Sequence, residues 1–129
     1  FRNINRNLLI NKITKSKKWN NQFQFISIPK DIDPSWMGLP ILLSNRFKNK
    51  KKKFMTILDK MGIETRPIIS GNFANQPAAK LYNLCKKNEK FENSQKVQDL
   101  GFLIGLHTRK ISKSNLKLIH DAFFMIDQI

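Results

Sequence analysis

The chain has one cysteine, two histidines, one tyrosine and nine acidic residues among 129 positions. Each shortage removes a class of function. A single thiol, Cys85, forbids an intramolecular disulfide and any Cys-x-x-Cys metal or redox pair, and a lone thiol is ordinary in a reducing cytoplasm, the compartment expected here. His107 and His120, with no cysteine or carboxylate partner at ligand spacing, make no metal site. No serine sits on a Gly-x-Ser-x-Gly elbow, so no nucleophile triad is indicated. No apolar run approaches the roughly 18 residues a membrane span requires, and no apolar segment before a small-residue cleavage site marks a secretion signal.

Positive charge, by contrast, is plentiful. A net charge of +15 and a pI near 10.3 raise nucleic acid as a partner, through neutralised phosphates and released counterions. The lysines are spread over the whole chain, however, among many Asn and Ile residues. The one dense run, Lys48-Asn-Lys-Lys-Lys-Lys53, precedes an apolar-periodic segment, where its charge opposes the helix dipole; it reads as a solvated loop or a frayed first turn. Phe47 and Phe54 flank it at a spacing suited to packing, and no glycine-rich loop or RNA-recognition aromatic pair is present. A stand-alone basic nucleic-acid-binding module is the alternative reading.

Periodicity places the elements. Asn5 to Lys18 reads as a basic helix with Leu8, Leu9, Ile13 and Ile4 as one stripe. Trp19 to Ile28 is a short strand or extended loop, closed by Pro29 and the turn Asp31 to Pro34. Ser35 to Ser44 is an almost continuous apolar strand, marred by Gly38 and Pro40, which argue for an edge, a bulge or a close backbone approach. Asn49 to Met61 is a helix with Phe54, Ile57, Leu58 and Met61 inward, ended by Gly62. A strand over Ile63 to Ile69 turns at Ser70-Gly71. A short helix, Ala78 to Cys85, buries Leu81, Leu84 and Cys85, and the polar stretch 86–93 is exposed. A helix over Gln95 to Leu100 leads into a buried strand, Gly101 to Leu106, which delivers His107; Ser112 or Ser114 caps a last helix over Asn115 to Ile126, with His120 on the surface. This order predicts an α/β (α+β) two-layer sandwich: a small, mostly antiparallel sheet with helices mainly on one face.

One stretch reads as a site. Gly62 to Pro77 sets Glu64, Arg66, Asn72 and Gln76 among residues that punctuate or pack, with Pro67 and Pro77 fixing φ and Gly71 freeing it. A guanidinium fork and two amides would suit a phosphorylated, hydroxyl-rich ligand. The plainer reading pairs Glu64 with Arg66 and makes Asn72 a helix cap. Both stay open at this point.

Gly-Ile-Glu-Thr-Arg-Pro-Ile-Ile-Ser-Gly-Asn-Phe, residues 62 to 73, resembles the C-terminal signature of the DegT/DnrJ/EryC1/StrS family of pyridoxal-phosphate-dependent nucleotide-sugar aminotransferases, and within it the branch with the 4-keto-6-deoxyhexose 3-dehydratases. Pro34 to Ile41 and Gly101 to His107 are similar to two of its strands, in the same order and spacing. The resemblance implies the small C-terminal domain of a fold-type I enzyme. Residues 1–20 would end the helix linking it to a large domain, with the apolar stripe facing that domain, and residues 21–129 would be the small domain. A chain starting at Phe1 fits a piece cut from a longer protein. It further implies pyridoxal phosphate held by the large domain, with no catalytic residue, metal or cofactor site in this part, and a cytoplasmic homodimer working on a nucleotide-linked keto-deoxy sugar for polysaccharide or lipopolysaccharide. No membrane partner is expected. Arg66, Asn72 and His107 would face the substrate, Glu64 would orient Arg66, and Gln76 and Trp36 are further substrate-binding candidates, Trp36 at the mouth between domains.

Overall fold

The computed structural model describes residues 1–86 and 89–129; Lys87 and Asn88, in the polar stretch expected to be exposed, lie outside the described residues. Five α-helices and a four-stranded antiparallel sheet form an α+β fold: α1 (Arg2–Thr14), β1 (Phe23–Phe25), β2 (Gly38–Leu43), α2 (Lys51–Lys60), β3 (Thr65–Pro67), α3 (Pro77–Leu81), α4 (Glu92–Leu100), β4 (Gly101–Gly105) and α5 (Lys113–Phe123). The strands lie in the order β1-β2-β4-β3. Strand β2 alternates in burial, with Leu39, Ile41 and Leu43 inward. These residues meet Phe102 and Ile104 of β4, Leu9 and Ile13 of α1, Phe54 and Leu58 of α2, and Phe123 of α5 in one apolar cluster. Four phenylalanines tie it together: Phe54 stands edge-on to Phe102 and Phe123 at 5.9 and 6.1 Å, and Phe23 lies 5.0 Å from Phe123. Helix α4 closes one end of the opposite face, where Gly101 is hemmed in by Val97, Ile68 and Leu42.

Local chemistry sets the boundaries. Helix α2 ends in a Schellman cap: Gly62, at φ +78°, donates to the Asp59 carbonyl, and the Ile63 amide donates to that of Leu58 at 2.9 Å. The Ser112 hydroxyl accepts from the Asn115 amide at the start of α5, as its sequence position predicts.

Several expectations change. Helix α1 runs earlier than expected, and its buried residues are Asn5, Arg6, Leu9 and Ile13, while Ile4 is exposed and Leu8 half-buried; of the stripe assigned to an absent partner, Leu9 and Ile13 are buried in this chain's own core. Strand β2 is central, not an edge. Its pairing with β1 stops at Ile41, so Gly38 to Pro40 form a local edge where a proline costs no ladder bond, and Gly38 does make the close approach, a Cβ there meeting the Ile104 carbonyl at 3.0 Å. Strand β3 shrinks to three residues because the chain turns away before Ile69, which is exposed. Helix α3 is one turn long, and Leu81 and Leu84, expected inward, are 74% and 59% exposed. Helix α4 begins at Glu92, three residues before the expected start at Gln95, and α5 passes at Phe124 into a 3-10 turn that still buries Ile126.

Phe54→Ala should lower unfolding free energy by about 3–5 kcal/mol in urea titrations, because a fully buried ring leaves a cavity between sheet and helices; Leu81→Ala should change it by less than about 0.5 kcal/mol.

Candidate functional site

The bend after β3 is held from below. Ser70 and Gly71 take consecutive left-handed conformations, φ +64° and +51°, and a Cβ on Gly71 would stand 2.9 Å from Gln98 of α4. Only glycine lets the chain lie this close. Asn72 is buried: its amide N–H donates to Gln98 Oε1 at 3.0 Å, its Nδ2 donates to Gln95 Oε1 at 3.1 Å, and its Oδ1 accepts from the Ala74 amide at 3.2 Å. Asn75 Nδ2 donates to the same Gln95 oxygen at 2.8 Å, and Gln95 Nε2 donates to Asp99 Oδ1 at 2.9 Å. Lys48 completes the chain 3.2 Å from Asp99 Oδ2. Hydrogen bonds from Lys48 and then from Gln95 hold the Asp99 carboxyl below its usual range. A cavity of about 890 Å³ lies beside this network.

Arg66 and Glu64 are elsewhere. Arg66 Nε and Nη2 donate to Glu64 Oε1 at 2.9 and 2.7 Å, with both side chains largely in solvent. Glu64 lines a second cavity, about 660 Å³, with an apolar floor of Leu9, Ile104, Leu106 and Ile119 and with His107 and Arg109 at its polar side. His107 Nδ1 accepts from the Arg109 amide at 3.0 Å. Asn5, 1% exposed, pins this loop to α1: its Nδ2 donates to the carbonyls of His107 and Arg109 at 2.9 and 2.8 Å, and its Oδ1 accepts from the Ile111 amide at 3.0 Å.

The structure thus brings Glu64, Arg66 and His107 into one neighbourhood and sets Asn72 in another. Gln76 is exposed just before Pro77 starts α3, and Trp36 packs on the core with the Arg6 guanidinium 5.0 Å from its ring centre. Neither borders the two cavities. Burial lowers the Arg6 pKa from its ordinary value, and its Nη2 donates to the Ile26 carbonyl. Asn5, Gln95 and Gln98 were not foreseen; the one trace of Asn5 was a polar residue four positions before Leu9 on a stripe otherwise apolar.

Two surface assignments are refined. The lysine run, expected as a solvated loop or a frayed first turn, spans a 3-10 turn over Asn45–Lys50 and the first turn of α2; Lys48, Lys52 and Lys53 are exposed, whereas Lys50 donates to the Ile129 carbonyl and Lys51 to the carbonyls of Gln98 and Gly101. His120 is mostly buried at the α1–α5 contact, where Nδ1 donates to the Asp121 carboxylate at 2.8 Å and Nε2 pairs with the Ser16 hydroxyl at 2.9 Å. Among the described residues, no group of three or more His, Cys, Asp and Glu could hold a metal ion, and no helix is long and apolar enough to cross a membrane.

No protein-family model matches the chain, and no curated protein matches its sequence. Solved structures do match its fold. One is the E. coli GDP-4-keto-6-deoxy-D-mannose-3-dehydratase with bound hydrated PLP: TM-score 0.69 at 18% identity, over 94% of this chain and 29% of that one. Another is a mutant of GDP-4-keto-6-deoxymannose-3-dehydratase (ColD) with bound GDP-perosamine, TM-score 0.68 at 19% identity, over 94% of this chain and 30% of that one. The chain therefore spans under a third of the length of these proteins, and its fold matches a small domain of a PLP enzyme.

Lys51, the lysine whose pKa burial lowers, has its ammonium spent on the backbone carbonyls of Gln98 and Gly101 and is not free to form a Schiff base.

Two outcomes follow. Gly71→Ala, which forces a Cβ into Gln98 at a left-handed position, should lower the melting temperature by several degrees, consistent with a loss of about 1–3 kcal/mol. Asp99 and Asp121 both have folded pKa values below the ordinary 3.8, so their stabilisation is complete above that value and fades as pH falls through the folded values. Thermal melts from pH 6 to 2 should show that acid loss, and Asp99→Asn should make it shallower.

Proposed function

We propose that this chain is the small C-terminal domain of a pyridoxal-phosphate-dependent enzyme of the DegT/DnrJ/EryC1/StrS type, acting on a nucleotide-linked keto-deoxy sugar in polysaccharide or lipopolysaccharide synthesis. The observation that carries this reading is the coincidence of the Gly62 to Phe73 stretch with a fold that matches two GDP-sugar 3-dehydratases over 94% of the chain. In this reading a large domain binds the cofactor and this domain closes one side of the cleft. The enzyme is a homodimer in the cytoplasm.

Arg66 and His107 are the substrate-facing candidates that the geometry favours. Arg66 is a preset fork, held by Glu64 yet open to solvent, and suits a phosphate or a sugar oxygen. His107 borders the apolar-floored cavity on the same side as Glu64. Asn72 contributes indirectly, by fixing the bend on α4. Whether the parent is an aminotransferase or a dehydratase depends on a lysine or histidine of the large domain.

Complementation tests the reading. The large domain of the E. coli 3-dehydratase, expressed without its small domain and mixed with this chain, should regain turnover of GDP-4-keto-6-deoxymannose and a pyridoxal absorbance band. Arg66→Ala should then raise KM by about tenfold to a hundredfold, the loss of one charge-assisted hydrogen bond. If the native small domain restores turnover and this chain neither binds nor restores it, the assignment fails.

A further inference from the structure

Asn5 is a buried amide whose oxygen and nitrogen are both engaged, and the function proposed above gives it no task. It sits on α1, more than a hundred positions from the loop it holds, and makes three hydrogen bonds of 2.8 to 3.0 Å to the backbone of His107, Arg109 and Ile111. Fully buried, it has no water to exchange for these partners, so the loop backbone is fixed to the helix. That fixed backbone aims the Arg109 amide at His107 Nδ1, 3.0 Å away. An amide N–H can only donate, so Nδ1 must accept and the ring proton of the neutral imidazole belongs on Nε2.

We propose that Asn5 is a positioning residue that presets His107 as an Nε2–H donor on the rim of the 660 Å³ cavity, ready for an oxygen acceptor on a bound ligand. The identity of that acceptor, a sugar or phosphate oxygen, rests on the sugar-nucleotide reading. The tautomer and its dependence on Asn5 do not. Helix α1 thereby sets the hydrogen-bond polarity of a residue on another element.

The test is a long-range ¹H–¹⁵N spectrum of the ¹⁵N-labelled chain at mildly alkaline pH, with no ligand. His107 should show the Nε2–H pattern with an unprotonated Nδ1, and amide exchange at Arg109 and Ile111 should be protected. In Asn5→Ala, His107 should become a mixture of tautomers, and exchange at Arg109 should rise by about tenfold, the equivalent of one lost hydrogen bond. Asn5→Asp, which keeps the acceptor for Ile111 but turns a buried carboxylate toward the carbonyls of His107 and Arg109, should disturb the loop at least as much as Asn5→Ala. An Nδ1–H tautomer, or unprotected Arg109 and Ile111 amides, in the wild-type chain overturns the proposal even if Asn5→Ala does not fold, and an unchanged tautomer in a folded Asn5→Ala overturns the role of Asn5. Because no ligand is added, either result is independent of whether the chain complements a dehydratase.

Discussion

Contact among four phenylalanine rings, edge-on where Phe54 meets Phe102 and Phe123, is the constraint from which the rest of this domain follows. Phe23 comes from β1, Phe54 from α2, Phe102 from β4 and Phe123 from α5, so a single aromatic knot joins sheet and helices. Rings packed edge to face add directional preference to the burial of a large apolar area, which fixes the rotation of each helix over the sheet. With α2 and α5 set in this way, α1 has one place left for Leu9 and Ile13, and that place brings Asn5 beneath the loop after β4. A chain carrying a charge of +15 can accept so much mutual repulsion because its lysines are kept out of the apolar cluster, their ammonium groups donated to backbone carbonyls or left in solvent.

The polar bend illustrates how the same residue types divide between support and contact. Asn72 and Arg66 come from one short stretch, yet one is turned inward against α4 and the other outward beside Glu64. The two left-handed residues between them turn the chain, so that Asn72 falls against α4 while Arg66 stays beside Glu64. A shell of amides, Gln95, Gln98 and Asn75, supports the bend as a second layer supports a binding surface.

Much of the fold was legible because apolar spacing survives in the sequence. Phe54, Leu58 and Gly62 mark a helix and its stop, Ser112 marks a start, and the Leu39, Ile41 and Leu43 alternation marks an inward strand face. What was not legible depends on contacts between distant segments. Nothing local in Leu81 or Leu84 says that the sheet will not reach them, and nothing near Asn5 says that three backbone groups a hundred positions away will need its amide. The candidate site was legible as a list of residues and not as an arrangement. Arg66 with Glu64 followed from adjacency, whereas the separation of Asn72 depended on a turn whose direction α4 decides.

Both outer strands of the sheet, Phe23–Phe25 and Thr65–Pro67, are three residues long, and the gap beside Gly38 to Pro40 carries an imino nitrogen with nothing to donate. Such short margins, one of them ending in Arg66-Pro67, offer a stray strand almost no ladder to copy. The domain's margins thus work against fibril growth, protection that matters for a protein whose leucine, isoleucine and phenylalanine core would be sticky during synthesis.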